Sequence, residues 1–148
     1  MTPLQFIEES NRIEGIEGVT IEEVKEFKRF MLLDEITDTE LEKFVSIYQP
    51  KAKLRDTFGL NVKVGGHFPP SGGPDIRIAL RGLLKDIQVG QLTPWEAHVR
   101  YESLHPFTDG NGRSGRMLWA WQMGKGGLGL GFLHAFYYQT LENKQRAW

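Results

Sequence analysis

The twelve residues from His105 to Arg116, "HPFTDGNGRSGR", constrain the fold more than any other part of the chain. Glycines at 110, 112 and 115 and an asparagine at 111 permit backbone conformations that other residues resist. Apolar helical patterns stand on both sides, so the stretch reads as a tight loop feeding directly into a helix. The first N–H groups of such a helix are unpaired and point outward. Together with the helix dipole they make the junction a site for anions. Arg113 and Arg116 lie three residues apart, on one face of the first helical turn. Two guanidinium groups beside an anion cradle suit a polyphosphate better than a lone phosphate. Asp109 offers a hard oxygen ligand of the kind Mg²⁺ takes alongside phosphate oxygens and water. His105, at the loop's entrance, carries the side chain best suited to act as a general base near neutral pH. Residue by residue, these features point to a nucleotide–Mg²⁺ site with its own base. The loop is not a Walker A motif: Gly124-Lys125 is followed by glycine and lacks the upstream glycine.

Around this loop the chain reads as mainly α. Thr20, Thr37 and Thr93 each precede a glutamate by three residues, the pattern of a capping box. The first opens a helix with Val24, Phe27 and Met31 inward, the second one with Leu41, Phe44, Val45 and Tyr48, ended by Pro50. A third helix starts at Pro74 and carries Ile76, Leu80, Leu83, Leu84 and Ile87, ending before Gly90. A fourth runs from Pro94 to about Leu104, and "RSGRMLWAWQM" and "FLHAFYYQTLENKQ" give a fifth and a sixth. "LNVKVGGHFPP", residues 60–70, alternates apolar and polar around Gly65-Gly66, so a short β-hairpin or extended flap is expected there. Phe107 is read as a core anchor for the loop, and His98, His67 and His134 as structural. His98 and Glu102 are one turn apart, but a third metal ligand at suitable spacing is missing.

A length of 148 residues suits one domain, residues 1–148. Eighteen basic against nineteen acidic residues give a net charge of −1, which argues against nucleic acid as the main partner. There is no cysteine, hence no disulfide framework. Neither a secretory signal nor a run of about 20 apolar residues is found, so a cytoplasmic protein, or one exported by a route that leaves no such mark, is expected, with no membrane contact.

"HPFTDGNGR" followed by Arg116 resembles the signature of Fic-domain proteins, H-x-F-x-D/E-G-N-G-R-x-x-R, at every defining position. "EAHVRYESLHPF" is similar to the helix that delivers the family's histidine. "VKVGGHFPP" looks like its target-docking flap and "FYYQTL" like its closing helix. The resemblance implies a mainly α, Fic-like helical bundle with a small β-hairpin flap. It also implies transfer of AMP from ATP to a Ser, Thr or Tyr hydroxyl of a protein target. His105 would take the hydroxyl proton, and Asp109 would hold Mg²⁺ against the α- and β-phosphates. Gly110, Asn111 and Gly112 would line the anion hole, with Arg113 on the β-phosphate and Arg116 on the γ-phosphate. The flap residues Val62, Lys63, Val64, Gly65, Gly66 and His67 would align the target by strand addition. "SNRIEG" matches the family's inhibitory motif S/T-x-x-x-E-G/N, placing Ser10, Glu14 and Gly15 in an N-terminal inhibitory segment at about 3–18, with Glu14 paired to Arg116. Alternatives left open are removal of AMP with Glu14 positioning a water, transfer of another phosphate-containing group, and a catalytically silent nucleotide-binding regulator. Intact Gly112 and Arg113 favour ATP in the usual pose. Self-modification and homo-oligomer contacts are further partner classes the resemblance implies.

Overall fold

A computed structural model of the chain describes residues 2–124. Six helices are found among them: α1 (Pro3–Ile13), α2 (Ile21–Met31), α3 (Asp38–Tyr48), α4 (Pro74–Gln88), α5 (Pro94–Leu104) and α6 (Asn111–Met123). The sixth helix expected from "FLHAFYYQTLENKQ", with His134, Tyr137 and Tyr138, lies outside the described residues.

The expected helix starts are found, with one difference in chemistry. Thr20 and Thr93 form reciprocal capping boxes with Glu23 and Glu96. Thr37 accepts from the Glu40 N–H, but the Glu40 carboxylate does not reach back. It pairs instead with Arg29 Nη1 at 2.7 Å, exchanging a local cap for an ion pair between α3 and α2. α1 has a box of its own, between Thr2 and Gln5, with Pro3 at its first turn.

The core is built from the inward faces of these helices. Phe30 and Phe44 meet edge to face at 5.5 Å, and Phe44 stacks on Tyr48 at 4.1 Å. On α4 the buried residues are Ile76, Leu80, Leu83, Leu84 and Ile87, the stripe read from the sequence. α6 is different. From Arg113 to Ala120 every residue is buried, because α1, α2, α3 and α5 all pack against it. Over that stretch the helix has no solvent face, and the polar groups it carries there must find partners inside.

The flap does not form the expected hairpin. Residues 60–70 hold one isolated antiparallel bridge, in which Val64 and His67 exchange both backbone hydrogen bonds around Gly65-Gly66. The next hydrogen-bonded pair outward would be Val62 with Pro69, and proline has no N–H to donate, so the ladder stops after one rung. The Asn61 side chain meanwhile accepts from the Gly72 N–H at 2.8 Å, tying the outgoing chain to a loop.

The loop and the end of α5 are held by a residue the sequence does not advertise. Arg55 is fully buried. Its guanidinium donates to four carbonyls: His105 at 2.7 Å, Leu104 at 2.9 Å, Leu60 at 3.1 Å and Pro70 at 2.8 Å. Two of these are the last carbonyls of α5, where the dipole is negative and a cation is favoured. The other two bracket the flap. No carboxylate pairs with Arg55 among the described residues, and burial lowers its pKa. Around it, Arg55 N donates to the Pro106 carbonyl and Thr108 N to that of Lys53, laying 53–55 along 106–108. Arg55→Lys is expected to lower stability by about 3 kcal/mol or more, because an ammonium cannot fork to four buried carbonyls. Urea unfolding of the two proteins checks this; a loss under about 1 kcal/mol would contradict it.

Candidate functional site

α5 ends at His105, whose backbone is left-handed at φ 50°, the only non-glycine residue with positive φ among those described. Such a backbone costs about 1–3 kcal/mol and persists only where its surroundings impose it. Here the His105 N–H donates to Tyr101 and its carbonyl accepts from Arg55. The turn this creates points the chain into the loop, and Phe107, buried in the core, anchors it. Asn111 then closes the loop on itself. Its side chain accepts from the Phe107 N–H at 2.9 Å and donates to the Phe107 carbonyl at 2.7 Å. The Asn111 side chain is therefore occupied by the loop, and any anion contact at this position comes from its backbone.

Gly110 caps α6 with φ 77°, a conformation that favours glycine. The first intrahelical bond runs from Ser114 N to the Gly110 carbonyl. The N–H groups of Asn111, Gly112 and Arg113 thus precede the helix ladder and form its positive end. A cavity of about 250 Å³ opens there, lined among others by His105, Asp109, Gly110, Asn111, Gly112 and Arg113. Six of the residues singled out in the loop therefore share one space. Glu14, Ile16, Gln49 and Thr108 complete its wall.

Arg113 and Arg116 share a helical turn, but their guanidinium groups diverge. Arg113 reaches toward α3. It donates to Gln49 Oε1 at 2.8 Å, lies over the Tyr48 ring at 5.8 Å and approaches Glu23 at 3.8 Å. Arg116 is buried and turns toward α1. Its Nε donates to the Ser10 hydroxyl at 2.8 Å, and Nη2 to the Ser10 carbonyl at 3.0 Å and to Glu14 Oε1 at 2.7 Å. Glu14 caps the C-terminus of α1, and Gly15 follows with φ 73°. Gly112 makes the approach possible: a Cβ there would collide with Glu14 Oε1 and crowd Arg116. Ser10 and Glu14 thus meet Arg116 at the edge of the cavity, with the Glu14 carboxylate beside the helix end that suits an anion.

His105 is the candidate base. Burial holds its imidazole below the ordinary 6.5; the Glu102 backbone works against this, Arg55 and His67 add to the lowering, and Glu14 raises it. Asp109 is the candidate cation ligand. Gly110 N donates to its Oδ1 and Gln49 Nε2 to its Oδ2, so the carboxylate is oriented while lone pairs remain. No cluster of three or more His, Cys, Asp or Glu able to hold a metal occurs among the described residues. One oriented carboxylate at a helix N-terminus supplies too few protein donors for an all-protein metal cage.

The remaining candidates lie elsewhere. His98 is buried, bonds the Gly115 carbonyl through Nδ1 at 3.2 Å and sits 3.9 Å from Glu102. Burial lowers its pKa to about 4, so it packs α5 on α6 as a neutral ring. Burial also pushes Glu102 up to about 7, with Arg116 opposing and Glu14 adding to the shift. The flap residues 62–67 are not among those lining the cavity; the His67 ring bonds the Ser103 carbonyl at 3.0 Å, and Lys63 lies 5.2 Å from the Phe68 ring centre. Sequence reading passed over Gln49, Arg55 and Asn11. Asn11 donates to the Gly18 carbonyl at 3.0 Å and lies within reach of Glu23, helping to seat α1.

The family model described as "Fic/DOC family" matches residues 18–123. That span holds the whole loop and begins after Ser10–Gly15. A curated relative, "Protein adenylyltransferase Fic" of Drosophila mojavensis, is 41% identical over 64 residues, covering 38% of this chain. The matched part is 12% of the relative's length. No described helix is long and apolar enough to cross a membrane.

An NMR titration of the imidazole is expected to place the His105 pKa below 6.5, since burial is its main perturbation. Glu14 raises this pKa, so Glu14→Gly should lower it further. The base then keeps its lone pair at more acidic pH. A rise on removing Glu14 would contradict the assignment.

Proposed function

Because the chain belongs to the Fic/DOC family, we propose that it is a protein adenylyltransferase held in check by its own N-terminal helix. The observation that carries this reading is the single cavity that gathers His105, Asp109, the N-terminus of α6 and Arg113, with Glu14 on its wall. The name of the fly relative and the full loop signature agree with it.

ATP would lay its phosphates along the first turn of α6, where free N–H groups and Arg113 supply positive charge. His105 takes the proton of a Ser, Thr or Tyr hydroxyl on the target. That oxygen forms a bond to the α-phosphorus, the bond from the α-phosphorus to the bridging oxygen breaks, and pyrophosphate leaves with the electron pair. Asp109 would hold Mg²⁺, which neutralises charge on the phosphates. The chain's contribution is positioning and charge stabilisation, as phosphorus chemistry of this type requires. Beyond the bridge at Val64 and His67 the flap forms no strand ladder among the described residues, which suits docking of an extended target segment. Self-modification would use the same chemistry.

The inhibitory part of the proposal rests on Arg116. A γ-phosphate needs that guanidinium, and Ser10 and Glu14 already occupy it. Glu14 also places a carboxylate where a third phosphate would add negative charge. A second reading, removal of AMP, has one supporting observation: Glu14 and His105 line the same cavity, so the carboxylate could orient a water toward a bound AMP group.

Label transfer to protein from α-labelled and γ-labelled ATP in parallel, with Mg²⁺, tests the proposal. Label is expected from the α-position only. The Glu14–Arg116 bond is charge-assisted but half exposed, worth about 1–2 kcal/mol. Glu14→Gly should therefore raise transfer roughly 5- to 30-fold. His105→Ala on that background should lower it by about 10²–10⁴-fold. Label from the γ-position would replace AMP transfer by phosphate transfer. Release of label from modified protein by the native chain, lost in Glu14→Gly, would favour the reverse reaction.

A further inference from the structure

Gln49 lies outside the loop, at the C-terminal cap of α3, yet its side chain touches the loop at both ends. Nε2 donates to Asp109 Oδ2 at 2.7 Å, and Oε1 accepts from Arg113 Nη2 at 2.8 Å. Only this orientation of the amide works. The flipped one would set N–H groups against a guanidinium and a carbonyl oxygen against a carboxylate. The backbone of Gln49 is itself fixed, its N–H donating to Val45 at 2.7 Å and its carbonyl accepting from Ala52 at 3.0 Å. Between the two contacts the stem packs on Gly110, where a Cβ would come within 3.3 Å of Gln49 Cβ.

We infer that Gln49 is a positioning residue that aims the cation ligand and the phosphate-binding arginine at one ligand. The inference rests on the nucleotide reading above. Asp109 is an acidic residue on a loop, and Arg113 is a long flexible one on a helix. Left alone, their opposite charges would draw them into a direct ion pair, which would use up both. The neutral amide stands between them, satisfies one lone pair of the carboxylate and one N–H of the guanidinium, and keeps the two apart. Each group retains its charge and its outward-facing capacity. Gly110 N holds the other Asp109 oxygen at 2.8 Å, so the carboxylate has a donor on each oxygen before any cation arrives. Groups that orient a metal ligand in this way typically contribute 10- to 100-fold to metal affinity.

The test is binding, read without turnover. The full chain carrying Glu14→Gly is titrated with the α,β-methylene analogue of ATP by calorimetry, once with Mg²⁺ and once with EDTA. The ratio of the two affinities is the metal enhancement. Gln49→Met, which keeps the stem and removes the amide, is expected to cut that enhancement about tenfold. Gln49 is only half-buried, and a second variant, Gln49→Leu, should give the same loss if the amide is what matters. On an Asp109→Asn background Gln49→Met should leave the enhancement unchanged, since the group it orients is gone. An enhancement that survives Gln49→Met overturns the role of Gln49 and leaves the nucleotide reading standing. Equal losses with and without the Asp109 carboxylate also overturn it. No metal enhancement in the Glu14→Gly parent would overturn the nucleotide–metal reading itself, and this inference with it.

Discussion

Arg55 is the charge around which the chain is closed. A buried guanidinium with four carbonyl acceptors is stable only where three stretches of backbone present those carbonyls at once. Those stretches are the end of α5 through His105 and the two shoulders of the flap. The requirement fixes where α5 stops and forces His105 into its left-handed turn. It also fixes where the flap leaves and returns to the body. The cluster uses no carboxylate among the described residues. Its acceptors are neutral carbonyls, two of them at the negative end of α5, so the electrostatic compensation comes from backbone dipoles. A loop that holds His105 in a fixed turn gains from such an anchor, because backbone carbonyls cannot change rotamer.

The second constraint follows from the enclosure of α6. Arg113 and Arg116 sit on the most buried of the described helices, and each needs anionic or polar partners whether or not a ligand is bound. Arg113 finds Gln49, with Glu23 further off; Arg116 finds Ser10 and Glu14. The partners of Arg116 come from α1, which is joined to the rest by Phe6 against Phe27 at 5.5 Å and by Asn11 near Glu23. Glu23 therefore serves three ends at once. It caps α2, receives Asn11 from α1 and faces Arg113. Through it, the seating of α1 and the charge environment of Arg113 belong to one polar network inside the core.

The elements that proved legible in the sequence are those whose cause is local. Caps at Thr20 and Thr93, the apolar stripe of α4 and the glycines at the start of α6 each follow from neighbours within four residues. So does the core role of Phe107, flanked by polar turn formers. The lost rung of the flap was also present in the sequence, in Pro69, but the alternation of apolar residues outweighed it. What the sequence could not disclose is long-range partnering. Arg55 sits in "KAKLRDTFG", a polar stretch with no period, and nothing nearby marks it for full burial. Gln49 precedes a proline and reads as the end of a helix; its partners are 60 and 64 residues away. Glu40 fits a capping box, and only the presence of Arg29 on another helix diverts it. Spacing alone pairs Arg113 with Arg116 on one helical face. Their divergence is imposed by α3 on one side and α1 on the other.

Moving α1 as a whole and moving only the Glu14 side chain carry different costs. Undocking α1 as a whole exposes Phe6 and Ile7, each worth about 1.5–3 kcal/mol of burial, and breaks the Asn11 contacts as well. Swinging Glu14 alone exposes almost nothing new. Its side chain is already 40% exposed, it sits at the cap just past the last turn of α1, and Gly15 behind it carries a left-handed turn. Arg116 would keep its two bonds to Ser10 through Nε and Nη2 while Glu14 leaves. The cheaper path therefore releases one carboxylate and retains the helix. On the reading proposed above, the movable part of the restraint is the charge-assisted bond from Glu14 to Arg116, not the packing of α1.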